Sequence, residues 1–284
     1  MANYYFLLSG LPDLKLDSLE TAPSVQELQQ LILEQDDMDK KDRRQVEMFF
    51  LMGDCRNLIT LLDDNLAELP YAGNWDKAEL QELIADALEE VYEDDSRYPA
   101  FMADFVREYY ERKSEAGYFP EDRLMVRYWK YLKQHGTGFV RRWAELSLDI
   151  ANTLTALLCE RQGWAVEQYT YDYDPTEVDK DLMSQLQDIA KDSDPVQKER
   201  RIDALKWLWM DDETFFEPFD INALFAYILK ADILERWARL DPEQGRQRFS
   251  QIIENLRQHA TVPAEFTAYM PKKEEGTYTK NYKY

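Results

Sequence analysis

The stretch FFLMGDCRNLITLLDDN, residues 49–65, decides the fold class. It belongs to a longer run, 42–62, in which apolar and polar residues recur at helical spacing, and this predicts a long helix. Asp54 and Asn57 lie three residues apart on that helix and therefore share one face, with Leu62 close to it. We expect this carboxylate and amide, beside an apolar stripe, to hold a neighbouring helix end by hydrogen bonds.

A second stretch, SLDIANTLTAL, repeats this pattern, because Asp149, Asn152 and Leu157 follow their counterparts at one common interval. A looser third copy, FDINALFAYILKADILERW, carries Asp220 and Asn222. An internal repeat of this kind predicts a chain built from three similar helical lobes. We expect one all-helical domain over 1–284, with lobes centred near 54–62, 149–157 and 220–236.

The rest of the chain also favours helices, so the predicted fold class is all-α. Ser24 opens a capping-box pattern, and Asp194 and Asp241 each precede a proline that suits the first position of a helix. The helices predicted in this way are 24–34, 42–62, 77–93, 98–113, 120–131, 139–161, 194–209 and 241–258.

Three segments depart from the helical pattern. Residues 164–173 alternate enough to be the best candidate strand, and the acidic segment 169–193 is predicted to have little regular structure. The locally basic tail, 271–284, is expected to be flexible. The apolar opening, 4–8, lacks the basic flank of a signal peptide and the length of a membrane span. We expect it to be a buried strand or helical turn that ends near Gly10.

The excess of acidic residues indicates which kinds of partner the protein can bind. The chain has 56 acidic and 34 basic residues, a formal net charge of -22, which repels nucleic-acid phosphates and anionic lipid. We therefore expect no nucleic-acid partner and no direct membrane insertion, and a basic protein partner fits best. Cys55 and Cys159 have no metal-binding spacing and are predicted to be reduced, buried thiols in the cytoplasm.

Patterns typical of catalysis are missing from the sequence. It has no phosphate-binding glycine motif, and its two histidines, His135 and His259, are too few for a multi-histidine metal site. Residues 172–181 resemble the start of a calcium loop, but Glu177 stands where that loop needs glycine. The paired glycines at 136 and 138 are interpreted as a turn between helices. We expect an interaction protein without catalytic activity, metal or cofactor.

Several of these stretches resemble known proteins. The opening YYFLLSGLPDLKLD and the first and third copies resemble an uncharacterised bacterial family that is typically encoded within V/A-type rotary ATPase gene clusters. The same features are similar to a distant version of the C subunit of V/A-type ATP synthases, the relative of the eukaryotic d subunit. The C subunit carries a helical D-x-x-N-L-x-x-L-L signature, which is matched here by Asp54, Asn57, Leu58, Leu61 and Leu62.

The resemblance extends to two further places. The second copy keeps Asp149 and Asn152 but has Thr153 and Ala156 at the first two leucine positions of the signature. Near its C-terminus, the C subunit has an A-Y-L-L segment followed by a helix with an acid and, four residues later, an arginine. The residues that resemble this segment are Ala226, Tyr227, Ile228, Leu229, Asp232 and Arg236.

The resemblance implies a fold and a function. The C subunit is an all-helical funnel of three pseudo-symmetric lobes on the cytoplasmic face of the membrane rotor ring. Its cavity holds the foot of the central stalk, formed by the D and F subunits, and it carries torque without catalysis. This implies a cytoplasmic protein that is peripheral to the membrane through the ATPase. The alternatives are a free-standing acidic helical adaptor or regulator of a basic protein partner and, from a third class, a carboxylate-based hydrolase.

Overall fold

The computed structural model describes residues 4–16, 23–35, 38–89, 97–115 and 117–240. These residues are all-α, with ten α-helices, a short 3₁₀ turn at Val166–Gln168 and no β-strand. The helices are α1 (Tyr5–Gly10), α2 (Val25–Leu33), α3 (Lys40–Asp63), α4 (Lys77–Leu88), α5 (Ala100–Arg112), α6 (Pro120–His135), α7 (Gly138–Gln162), α8 (Lys180–Ala190), α9 (Pro195–Thr214) and α10 (Ile221–Leu240).

The chain divides into two compact units, Met1–Arg236 and Trp237–Tyr284. The core and the candidate site lie in the first unit. Two predicted segments, the helix 241–258 and the flexible tail 271–284, lie outside the described residues. The other predicted helices are confirmed, with ends that shift by a few residues.

Helix starts follow the predicted capping chemistry. The Ser24 hydroxyl accepts the Glu27 backbone N–H at 3.2 Å, and the Glu27 carboxylate accepts the Ser24 backbone N–H at 2.8 Å. At the start of α9, the Asp194 carboxylate accepts the Val196 N–H at 2.9 Å, and Pro195 occupies the first position. Caps of this kind contribute about 1 kcal/mol each, so the local sequence sets where these helices begin.

The core is centred on three phenylalanines from three helices. Phe49 of α3 stacks on Phe225 of α10, with ring centres 5.1 Å apart, and Phe139 of α7 lies 6.3 Å from Phe225. The Tyr128 hydroxyl of α6 donates to the Phe49 carbonyl at 2.9 Å. Burying each such side chain is worth about 1.5–3 kcal/mol. Four helices are therefore joined at one point of the core.

The predicted turn between helices at Gly136 and Gly138 is confirmed. Gly136 ends α6 and Gly138 begins α7 with a φ of +54°, a conformation that suits glycine. The predicted burial of both thiols is also confirmed, since Cys55 and Cys159 are free and buried.

The predicted strand at 164–173 is wrong. Gly163 ends α7 in the left-handed region, with a φ of +71°, and a 3₁₀ turn follows. The Trp164 and Tyr169 rings lie 5.5 Å apart across this turn, and Thr170 hydrogen-bonds the Val166 carbonyl at 3.0 Å. The alternating aromatic residues therefore fold back on one another and form no sheet.

The predicted lack of regular structure in 169–193 is wrong in its second half, which forms α8. Asp179 caps this helix by accepting the Asp181 and Leu182 N–H groups, both at 3.0 Å. Two of its own residues, Leu186 and Ile189, are buried and form its apolar side. The many acidic residues of the segment obscured this short amphipathic pattern.

The opening run forms a helical turn, α1, but its predicted burial is wrong for most of the run. Tyr4 is buried, whereas Tyr5 and Phe6 are exposed. None of the six residues of α1 is buried, so the helix lies at the surface and the Tyr5 and Phe6 rings remain exposed. None of the described helices has both the length and the apolar character that a membrane-spanning helix requires.

Candidate functional site

Asn57 holds the loop that follows α3 by its backbone. Its Nδ2 donates to the Tyr71 carbonyl at 2.9 Å, and its Oδ1 accepts the Tyr71 N–H at 3.1 Å. The amide is 1% exposed, so no water replaces these bonds. This pair, Asn57 with Tyr71, is named the first clamp. Both polar ends of the side chain are satisfied by one residue, which fixes the loop in position and orientation.

Asn152 does the same after α7. Its Nδ2 donates to the Tyr171 carbonyl at 2.9 Å, and its Oδ1 accepts the Tyr171 N–H at 2.9 Å. This pair, Asn152 with Tyr171, is the second clamp. The two asparagines of the sequence repeat therefore perform the same task in two parts of the chain. Each holds a tyrosine backbone in the loop that follows its own helix.

Asp54 strengthens the first clamp. Its carboxylate accepts the Asn74 N–H at 3.0 Å, the Asn74 side-chain amide at 2.7 Å and the Trp75 N–H at 3.1 Å. The side chain is fully buried. Burial raises the pKa of Asp54 to about 6, although its hydrogen bonds favour the charged form and oppose the shift.

Two glycines allow the loop to lie against α3. A Cβ at Gly53 would stand 1.6 Å from the Ala72 carbonyl oxygen, and one at Gly73 would stand 2.2 Å from the Asp54 carboxylate. Neither position has room for a side chain. The glycines thus permit the close approach through which the Asp54 carboxylate reaches the backbone N–H groups.

Asp149 has no comparable role, although it occupies the equivalent place in the repeat. It is half-buried and accepts no hydrogen bond from the described part of the chain, and burial raises its pKa. The third and fourth residues after Tyr171 are Asp174 and Pro175, where the first copy has Asn74 and Trp75. An aspartate side chain and a proline backbone lack these donors.

The looser third copy forms no clamp. Asp220 accepts the Ala223 N–H at 2.9 Å and so caps the start of α10, while Asn222 donates to the Asp220 carboxylate at 2.6 Å. These contacts are local. The division into three lobes stays a prediction, because only two of the copies share the clamp geometry.

Arg56 connects the first clamp to α10. Its guanidinium pairs with the Asp232 carboxylate through two hydrogen bonds of 2.7 and 3.1 Å, and it lies 5.3 Å from the centre of the Tyr71 ring. Burial opposes the charge of Arg56, but the Asp232 carboxylate outweighs it and raises the pKa of the guanidinium. Residues of the first and third stretches thus meet at one ion pair.

The other predicted motif residues mostly stabilise the core or tie α10 to neighbouring segments. The Tyr227 hydroxyl donates to the Pro12 carbonyl at 2.8 Å, and Arg236 pairs with the buried Asp203 and, at 3.3 Å, with Glu199. The remaining motif residues are buried apolar side chains, namely Leu58, Leu61, Leu62 and Ala226.

Sequence reasoning missed an open groove beside the first clamp. Its volume is about 490 Å³, and its lining includes Trp75, Tyr131, Arg44 and Arg97. The lining comes from separate segments of the chain, so no single stretch of sequence carried the signal. Arg97 is engaged by Glu79 at 3.0 Å.

The acidic side chains of the segment 172–181 do not converge on a metal site. Asp172 pairs with Lys130 at 2.6 Å, and Asp174 accepts the Thr176 hydroxyl at 2.7 Å. Among the described residues, no three His, Cys, Asp or Glu side chains converge in a way that could hold a metal ion. These acids instead form local turns and surface ion pairs.

The fold and the site define an all-helical protein in which two long helices each hold the following loop through an asparagine. The chain belongs to the family described as "Protein of unknown function (DUF2764)", whose model matches residues 1–185 and 170–260. No curated protein and no solved structure matches the chain.

Proposed function

We propose that this protein is a non-catalytic central-stalk component of a bacterial V/A-type rotary ATPase, similar to the C subunit. It would couple the D and F stalk subunits to the membrane rotor ring. The protein would act in the cytoplasm, peripheral to the membrane through the ATPase complex. No cofactor is needed for such a role, because the chain transmits force rather than changing a substrate.

The paired clamps are the observation that carries this proposal. Asn57 and Asn152 stand at equivalent places in two sequence copies, and both bind the backbone N–H and carbonyl of a tyrosine in the next loop. The resemblance to the C subunit rests on the same signature and implies repeated helical lobes. A signature residue with a repeated structural task supports a repeated architecture more strongly than a sequence match alone.

The ion pair between Arg56 and Asp232 suits a part that transmits torque. It joins the first clamp to α10, and the side chains are largely shielded, with 29% and 20% exposed. A part that bears load must keep its loops and helices together when pushed from one side. Loops fixed by buried side chains, rather than by surface contacts alone, meet that requirement.

The charge balance also supports the proposal. A net charge of -22 favours a partner surface that is rich in lysine and arginine. Complementary charge sets the register of two surfaces and speeds their association. In this proposal, the basic surface belongs to the foot of the stalk.

The test is a pull-down of the tagged full-length protein from native membranes, in a detergent that preserves the ATPase, read by mass spectrometry. We expect recovery of the D and F subunits, the catalytic A and B subunits and the rotor ring. The control is a reciprocal pull-down through a tagged D subunit. If that pull-down recovers an intact ATPase without this protein, the proposal is wrong.

The second candidate is a free-standing acidic helical adaptor or regulator that binds a basic protein. The same excess of acidic residues favours it. This candidate predicts that the tagged protein elutes from the soluble fraction with one basic partner and without ATPase subunits. Size-exclusion chromatography of the soluble and detergent-extracted fractions therefore separates the two candidates.

A further inference from the structure

Two segments of the first unit, which contact each other through Tyr5 and Phe219, carry five exposed aromatic side chains. The aromatic patch consists of Tyr5 and Phe6 of α1 with Phe215, Phe216 and Phe219 of the segment between α9 and α10. Phe6 and Phe216 are each 90% exposed, and Phe215 is 74% exposed. Single exposed apolar residues are common on proteins, but contiguous groups of large aromatic residues mark interaction surfaces.

The patch rests on an anchored base. The Tyr4 N–H donates to the Phe219 carbonyl at 3.0 Å, and the Tyr5 and Phe219 rings lie 4.7 Å apart. The Tyr4 hydroxyl donates to the Asp42 carboxylate at 2.8 Å, which ties α1 to the start of α3. The two segments that carry the rings are thus held against each other and against the core.

The segment that carries Phe215, Phe216 and Phe219 is acidic. The segment DDETFFEPFD, residues 211–220, holds five acidic residues and no basic residue. Arg142 pairs with Glu213, and Lys230 pairs with Asp211 at 2.5 Å. Asp212 and Glu217 are exposed and form no ion pair with any described residue. An uncompensated negative charge therefore remains in the segment that carries Phe215 and Phe216.

We propose that the aromatic patch docks another protein through an apolar surface of that protein that is flanked by lysine or arginine. Buried aromatic anchors carry much of the binding energy at protein interfaces, and the acidic segment would pair with the basic flank. A second copy of this chain fits poorly, because a two-fold interface would bring two acidic segments together. An anionic membrane is disfavoured for the same reason. The proposal does not depend on whether the partner belongs to the ATPase.

The first test is photo-crosslinking in native cells, with benzoylphenylalanine replacing Phe216. The control places the same group at Leu66, which is 81% exposed. Leu66 follows the end of α3, whereas Asp42 beneath the patch is near its start, about 30 Å away at the helical rise of 1.5 Å per residue. We expect position 216, and not position 66, to capture one protein through a peptide with excess lysine and arginine. Adducts with lipid, with this chain itself or with an acidic peptide would overturn the proposal, as would no adduct.

The second test compares Phe215→Ser/Phe216→Ser with Leu66→Ser in a pull-down of the captured partner. The double variant should lower recovery about tenfold, while Leu66→Ser should leave it unchanged. Asp212→Lys/Glu217→Lys should weaken recovery most at low salt, because salt screens exposed charges. All variants should melt close to the native protein, since these side chains are exposed. Unchanged recovery by the double phenylalanine variant would exclude the patch as the docking surface.

Discussion

The loops after α3 and α7 are held by the same asparagine contacts but by different carboxylates. After α3, Asn57 binds Tyr71 and Asp54 binds three further donors. After α7, Asn152 binds Tyr171, while Asp149 binds none among the described residues. The asparagine contact needs only a backbone N–H and carbonyl, which almost every residue offers. The carboxylate contact needs particular donors, so it is lost when the following sequence changes.

The largest expected effect is that of Asp54→Ala, compared with Asp149→Ala. Removal of the Asp54 carboxylate takes the acceptor from the Asn74 and Trp75 backbone N–H groups and leaves the Asn74 side-chain amide with the Glu47 carbonyl alone. We expect the free energy of unfolding to fall by about 4 kcal/mol. Asp149→Ala removes no hydrogen bond and should change stability by about 0.5 kcal/mol or less. Urea unfolding at neutral pH measures both. Equal losses would show that the two carboxylates are equivalent after all.

The pH dependence of stability gives the next test. The pKa of Asp54 rises from its ordinary value of 3.8 to about 6 on folding, so the native state binds the extra proton. The part of the stability that comes from this proton is therefore fully present below about pH 4 and is lost as the pH rises through about 6, while the hydrogen bonds that the carboxylate accepts remain. At 1.36 kcal/mol per pKa unit, the change amounts to about 3 kcal/mol.

Asp54→Asn should remove most of this pH dependence between pH 4 and 7. The matched variant Asp149→Asn should remove a smaller part of the same sign, because burial also raises the pKa of Asp149. Urea unfolding at several pH values measures how the free energy of unfolding of each variant changes with pH. The predicted sign would be wrong if the free energy of unfolding of the native protein rose between pH 4 and 7 while that of Asp54→Asn stayed constant.

The two asparagines should behave alike, unlike the two carboxylates. Asn57→Ala and Asn152→Ala each remove the amide that binds a tyrosine N–H and carbonyl, and we expect the free energy of unfolding to fall by about 2 kcal/mol for each. Both amides are buried, so the two losses should agree within about 0.5 kcal/mol. Thermal and urea unfolding, on the single variants and on the pair, measure this. A loss of stability at only one of the two positions would show that the two clamps are not equivalent.

The sequence predicted the helices and the shared face of each Asp and Asn, because both follow from helical periodicity. It did not predict the receiving residues. Tyr71 lies 14 residues after Asn57, whereas Tyr171 lies 19 residues after Asn152, so the repeat does not extend unchanged through the loops. Side-chain spacing on one helix determines a face, but the partner depends on how the next loop folds back.

The ion pair that links the first clamp to α10 makes the smallest expected contribution. Arg56 pairs with Asp232, and the position at the same interval in the second copy is Ala151, which offers no charge. Both charged groups retain some exposure, so solvent screens the pair. A double-mutant cycle of Arg56→Ala and Asp232→Ala should give a coupling energy of about 1 kcal/mol.

The same cycle with Asn57→Ala in place of Arg56→Ala serves as the control. Asn57 contacts the loop rather than α10, so its coupling to Asp232 should be close to zero if the clamp and the ion pair act independently. A coupling energy as large as that of Arg56 would mean that Asn57 and Asp232 are linked energetically through Tyr71. The first copy would then be a single rigid unit that reaches α10, whereas the second would remain a clamp alone.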